Sequence, residues 1–205
     1  MADEPVVDVL IEEERLVARV MELGREIAEP YRNGPPPLLV CVLKGSVVFL
    51  ADLVRAMDID LHVDFMSISS YADSPTSSGV VRIIKDLETD LTGRDVVIVE
   101  DIVDTGLTLH YLRRTLAARS PASLRAVTLL DKAVRRIIPV ELEWKGFEIP
   151  DVFVLGYGLD HEGLYRNACD LFEVPDIAHL VAMPRMYVPA LWPDAVVPHT
   201  DVRPP

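Results

Sequence analysis

Hydrophobic positions change period several times along the chain, and the changes lay out an α/β order. Residues 12–31 carry Leu16, Val17, Val20, Met21, Leu23 and Ile27 at roughly helical spacing, which predicts an amphipathic helix. Its Glu12-Glu13-Glu14 run suits the positive N-terminal end of that helix, and Asn33-Gly34-Pro35-Pro36-Pro37 ends the element. Residues 38–43 form an unbroken apolar run of strand length, followed by Lys44-Gly45 and a helix over 46–57. Residues 61–69 alternate as a strand, with Asp60, His62 and Asp64 on the polar side. The Ser-, Thr-, Asp-, Pro- and Gly-containing stretch 71–79 is a loop, and 80–87 returns as the second arm of a long hairpin.

A strand over 95–100, a helix from 106 to about 119, a Ser120-Pro121-Ala122-Ser123 turn and a strand over 124–131 form the central unit. Such βαβ repeats imply right-handed crossovers and a parallel sheet. A strand over 152–157 and a short one over 170–174 complete the pattern, with no internal repeat. The expectation is one α/β domain over 1–181 and a separate tail over 182–205, which holds six prolines. Met183, Met186, Tyr187, Leu191 and Trp192 offer the tail apolar contacts, so it is either disordered or packed against the domain or another subunit.

Composition narrows this picture. A length of 205 residues suits one domain with an ample core. Half the residues are apolar, yet no uninterrupted apolar run approaches the ~20 residues of a membrane span. The start, Met1-Ala2-Asp3-Glu4-Pro5, lacks the basic and apolar regions of a signal peptide. A soluble, cytoplasmic protein without a membrane partner is expected. Neither of the two cysteines, Cys41 and Cys169, lies in a metal-ligand spacing, and Cys41 reads as a buried small hydrophobe. The five histidines include no His-Glu-x-x-His pair, so zinc is not expected. A net charge of −13 argues against general nucleic-acid binding, which rests on neutralising phosphates.

The chemistry concentrates in Val96-Val97-Ile98-Val99-Glu100-Asp101-Ile102-Val103-Asp104-Thr105-Gly106-Leu107-Thr108-Leu109. A β-branched run suits a parallel strand buried on both faces. Glu100 and Asp101 then stand at its carboxyl end, where open α/β sheets place their ligands. Gly106 lets backbone approach a ligand closely, Thr105 and Thr108 add hydroxyls, and the N–H groups of Leu107 and Thr108 open a helix, favouring a phosphate. Carboxylates for sugar hydroxyls or a metal, beside a phosphate cradle, describe a sugar-phosphate site. The bland alternative is a strand-to-helix turn with ordinary capping residues. The loop is not a Walker A sequence, and Gly156-Tyr157-Gly158 is not a dinucleotide fingerprint, since His161 stands where the third glycine would fall.

The segment from Val99 to Leu109 resembles the phosphoribosyl-pyrophosphate motif of type I phosphoribosyltransferases, and its Glu-Asp-Ile-Val-Asp-Thr-Gly form resembles the hypoxanthine-guanine branch. The resemblance runs from about Val9 to about Val174. Three further blocks fall in the family's order: Leu43-Lys44-Gly45-Ser46, then Ser69-Ser70-Tyr71, then Leu130-Asp131-Lys132 with the later Phe153 to Asp160 stretch. It implies a central, mostly parallel sheet flanked by helices, a small hood and a mobile lid hairpin. It also implies transfer of a phosphoribosyl group from its pyrophosphate to a 6-oxopurine, with Mg²⁺, through an oxocarbenium-like transition state.

By the same resemblance, Asp104 is the general base beside the purine N7, though an Asp there also suits helix capping. Glu100 and Asp101 take the ribose hydroxyls, directly or through Mg²⁺, and Asp104, Thr105, Gly106, Leu107 and Thr108 cradle the 5′-phosphate. Lys44, Gly45, Ser70, Tyr71 and Arg166 take pyrophosphate, with a cis peptide between Lys44 and Gly45 and a lid beginning at Ser70-Tyr71. Lys132 donates to the purine O6, Phe153 stacks on the base, Val154 reads its edge, and Asp160 joins Glu100 and Asp101 at Mg²⁺. Because the chain is acidic, Mg²⁺ with Lys44, Lys132 and Arg166 must supply the local positive charge. The family's members commonly form dimers or tetramers, so a homodimer or homotetramer is expected. His110 and His161 read as helix-surface and loop residues, and Arg113-Arg114 and Arg135-Arg136 as solvated faces or subunit contacts. The competing function is a phosphoribosyl-pyrophosphate sensor, which should carry a basic nucleic-acid face; the acidic balance speaks against it.

Overall fold

In the computed structural model, which describes residues 7–70 and 81–193, the elements follow in the order β1 (Asp8–Ile11), α1 (Glu13–Ala28), β2 (Leu38–Leu43), α2 (Val47–Ala56), β3 (His62–Ser70) and β4 (Val81–Lys85). Next come β5 (Asp95–Val103), α3 (Leu107–Ala117), β6 (Ser123–Asp131), β7 (Trp144–Glu148), β8 (Phe153–Leu155), β9 (Leu171–Val174), α4 (Ile177–Ala182) and α5 (Val188–Leu191). The predicted loop 71–79, Tyr71 with it, and the tail from 194 onward lie outside the described residues.

The apolar run of β2 carries one core on each of its faces. Leu39 and Cys41 join a cluster with Leu16, Leu23 and Ile27 of α1 and Phe49 and Leu53 of α2. Leu38, Val40 and Val42 join the opposite cluster with Leu109, Leu112 and Leu116 of α3. β5 alternates the same way, Val97 and Val99 on the first side, Val96 and Ile98 on the second. A two-residue period through two fully covered faces is what a central parallel strand requires. The six strands order as β4-β3-β2-β5-β6-β7, parallel except for the β3–β4 hairpin. The central, mostly parallel sheet flanked by helices is therefore as expected. No helix among the described residues is long and apolar enough to cross a membrane.

A second sheet, ordered β1-β9-β8 and antiparallel throughout, stands apart from the first. It packs outward on Tyr165, Phe172, Leu180 and Tyr187, so the proline-containing segment through Trp192 covers it rather than trailing away. The Tyr165 hydroxyl donates to the Pro184 carbonyl at 2.6 Å and accepts from the Tyr187 N–H at 3.3 Å. Asp176 caps α4 by accepting from the His179 N–H at 2.9 Å. β1, β7, α4 and α5 were not anticipated from the hydrophobic pattern. The central strand also runs three residues beyond its predicted end at 100, so Asp101, Ile102 and Val103 are strand residues as well.

Candidate active site

The carboxyl ends of β2 and β5 lie side by side, and the chain turns from each into a helix. Between them opens a cavity of about 240 Å³ lined by Lys44, Gly45, Glu100, Asp101, Asp104, Thr105, Gly106 and Thr108, with Ile68 and Ile102 among its apolar walls. Gly106 caps α3 with φ of 84°, a left-handed backbone that glycine adopts without a Cβ penalty. The Leu107 N–H lies 3.4 Å from the Thr105 hydroxyl, so the loop supplies both hydroxyl and N–H groups at the helix's positive end. Gly45 sits so close to β5 that a Cβ there would fall 1.5 Å from Asp101 Oδ2. Any side chain here would have to displace the Asp101 carboxylate. A cis peptide is present one bond before the position expected, between Leu43 and Lys44.

Glu100 is buried, and its Oε1 has no hydrogen-bond partner. Burial, reinforced by the neighbouring Asp101 charge, pushes its pKa well above the ordinary carboxylate range. Burial also lifts Asp101 to about 6, opposed by the Ile102 N–H and its own backbone and by Arg166. The Ile102 N–H donates to Asp101 Oδ1 at 2.7 Å. Two carboxylates whose negative charge is disfavoured, one with an unused oxygen, fit a hard cation: Mg²⁺ is commonly held by one or two carboxylates plus substrate oxygens. Among the described residues no three His, Cys, Asp or Glu side chains converge as a metal cluster. Asp160 is instead engaged by Arg166 at 2.6 Å and by the Gly163 N–H at 2.7 Å. Arg166 also donates to the Gly158 carbonyl at 2.6 Å.

The residues expected around the base do not line the same cavity and come from two separate strands. Lys132 follows β6, buried, with its N–H donating to the Val103 carbonyl at 3.0 Å beside the acidic strand end. Phe153 and Val154 lie on β8 of the small sheet, where the Val154 side chain is buried in the main core and Phe153 is partly exposed. The His161 ring, in the loop after β8, meets Phe153 edge-on at 6.4 Å, and its Nε2 is buried without a partner. β3 ends at Ser70, its backbone paired with Val81; Tyr71 lies outside the described residues.

Arg113, Arg135 and Arg136, read from the sequence as solvated or intersubunit, are ordered against the site's supports. Arg136 donates to the Asp104 carbonyl at 2.9 Å and pairs with buried Asp131, which Lys145 also approaches at 3.4 Å. The Ile137 and Ile138 N–H groups both donate to the Thr105 carbonyl, at 2.9 and 3.2 Å. Arg113 holds Glu143 with two bonds of 3.0 and 2.9 Å, a bidentate geometry. The turn after Lys132 therefore clasps the phosphate loop from behind. Two adjacent arginines four residues beyond a buried acidic position carry too little pattern to be told from solvated charges.

Residues 8–162 match the family model of the phosphoribosyl transferase domain. A hypoxanthine-guanine phosphoribosyltransferase of Mycobacterium avium is 51% identical over 164 residues, spanning 78% of this chain and 81% of that protein. Its counterpart from Bacillus subtilis is 49% identical over 159 residues, spanning 78% and 88%. Among solved structures, a hypoxanthine-guanine phosphoribosyltransferase from Bacillus anthracis superposes with a TM-score of 0.78 at 42% identity, covering 83% of this chain and 99% of that one.

Proposed function

The chain belongs to the phosphoribosyl transferase family, and from that premise we propose that it is a purine-salvage enzyme. It joins hypoxanthine, with guanine as the second base, to 5-phosphoribosyl 1-pyrophosphate, giving the nucleoside monophosphate and pyrophosphate. The observation that carries this reading is the single cavity between β2 and β5, which unites Lys44-Gly45, Glu100-Asp101 and the Asp104–Thr108 loop.

In this reading the N9–C1′ bond forms as the C1′–oxygen bond to pyrophosphate breaks, and the purine N7 proton passes to the Asp104 carboxylate. The backbone and hydroxyls of Thr105 to Thr108 hold the 5′-phosphate at the start of α3. Glu100 and Asp101 orient the ribose hydroxyls, and Lys44-Gly45 with Arg166 receive the pyrophosphate. Glu100 and Asp101 would hold Mg²⁺, which would supply positive charge near the leaving pyrophosphate. Asp160 orients Arg166 through their ion pair and would be the third carboxylate for the metal. Lys132 donates to the purine O6, against which adenine's amino group would present a donor to a donor. Phe153 stacks on the base and Val154 offers its backbone to the base edge. The lid beginning at Ser70-Tyr71 would exclude water from the ribosyl cation. A homodimer or homotetramer is the proposed assembly, supported by Val17 and Met21, exposed one turn apart on α1; sedimentation tests it.

Product formation is measured with Mg²⁺, phosphoribosyl pyrophosphate and hypoxanthine, guanine, xanthine or adenine in separate reactions. Turnover of oxopurines but not adenine is expected. No turnover by protein that binds phosphoribosyl pyrophosphate would instead favour a sensor.

A further inference from the structure

Asp104 has two unlike oxygens. Its side chain is 37% exposed as a whole and lines the cavity, yet Oδ1 is buried and makes no hydrogen bond. The exposure therefore belongs to the Oδ2 side. The cation beside the buried oxygen is Arg135, whose Nε lies 3.2 Å from Oδ1, close enough to pair but not aligned to donate a hydrogen bond. The same guanidinium reaches Asp151 Oδ1 through Nη1 at 3.3 Å. Asp151 stands two residues before Phe153, on the approach to β8. Arg136, next in the chain, clasps the Asp104 carbonyl at 2.9 Å, so the backbone under the carboxylate is fixed while, among the described residues, its head is held only by this misaligned pair.

We propose that Arg135 is a positioning residue for the transfer reaction. It holds Asp104 by Oδ1 and leaves Oδ2 as the oxygen that faces the base, and through Asp151 it ties that orientation to the strand that receives the purine. A carboxylate with a free χ2 would otherwise share its two oxygens between cavity and wall. A fork with donors to two carboxylates sets the angle in a way that a point charge cannot. The inference rests on Asp104 being the general base.

The test is steady-state transfer to hypoxanthine with Mg²⁺ and saturating phosphoribosyl pyrophosphate. Arg135→Ala should lower kcat about 3- to 10-fold, since a misplaced catalytic group costs rate steeply while a half-exposed pair adds little else. The KM for phosphoribosyl pyrophosphate should stay within about twofold, because the Asp104–Thr108 backbone keeps its Arg136 clasp. Arg135→Lys should recover less than half of the lost kcat. The deciding readout is the cycle with Asp104→Asn: introducing Arg135→Ala there should lower kcat no further, whereas a merely structural role would lower it by the same factor in both backgrounds. Unchanged kcat in Arg135→Ala, or additive losses in the cycle, would overturn the proposal. Wild-type protein inactive with every oxopurine would overturn the proposed function instead, and full turnover by Asp104→Asn would remove the base on which Arg135 acts.

Discussion

The proposed ribose-phosphate half of the cleft and the proposed purine half draw on very different lengths of chain. The first comes from one run, Glu100 to Thr108, joined only by Lys44-Gly45 from the adjacent strand. The second gathers Lys132 from the end of β6, Phe153 and Val154 from β8, and a hood sheet whose partners are β1 and β9. Phosphate can be held by local geometry, because a helix start and a glycine present N–H groups wherever they occur. A base edge needs one donor at one place, which only tertiary assembly fixes. Affinity for phosphoribosyl pyrophosphate and selectivity for the base should thus be separable by mutation.

The largest effect is expected where the halves meet. Asp104→Asn should reduce kcat by about 10²- to 10⁴-fold, the usual worth of a general base, while phosphoribosyl pyrophosphate binding, followed by calorimetry, changes little. Full turnover would show that the carboxylate belongs to the phosphate half alone. Next comes the hood. Tyr187, 2% exposed, meets Tyr165 and Phe172 edge-on, and Tyr187→Ala should cost about 3–5 kcal/mol by analogy with other buried aromatics. Urea unfolding checks the stability. A raised hypoxanthine KM with unaltered phosphoribosyl pyrophosphate binding would confine the damage to the purine half.

Lys132→Ala should weaken discrimination against adenine by about 10- to 100-fold, as for a hydrogen bond from a charged group. Competition between the two bases measures it, and unchanged selectivity would refute the O6 contact. The smallest effect is on stability. Glu100 and Asp101 have raised pKa values in the fold, so the folded state binds protons more readily than the unfolded chain. Their contribution is favourable at acid pH and is lost as pH rises through about 6 for Asp101 and through the raised pKa of Glu100. Glu100→Gln removes one such cost and should raise Tm at pH 7.5 by roughly 2–4 °C per kcal/mol recovered, while impairing transfer. A lower Tm at pH 7.5 would mean that the carboxylate is stabilising as it stands.

The proposed phosphate half stood out in the sequence because its signals are local, and the structure brings its residues to one cavity. Leu38–Leu43 appears in the structure with the predicted ends, since a run with no polar residue has no place but a doubly covered strand. β7 escaped notice because Trp144-Lys145-Gly146-Phe147-Glu148 mixes charge and glycine, as an edge strand can. β1 escaped because four residues beside an acidic helix start carry no period of their own. Its reason for being a strand lies in Leu171–Val174, more than 150 residues away. Phe153 and Lys132 were found by their resemblance to family blocks, not by pattern. Arg135 and Arg136 were not found as site residues, because what distinguishes a clasping arginine from a solvated one is its partner.

The pairing of β1 with β9 also sets an order of events during synthesis. Asp8–Ile11 leaves the ribosome more than 150 residues before Leu171–Val174, the partner of its hydrogen-bonding edge. The strands β2, β3, β5 and β6, with their three covering helices, are complete by Asp131. A nascent chain released early would already carry the phosphate loop and lack the hood. In the proposed reading, the choice of base waits on the pairing of β1 with β9.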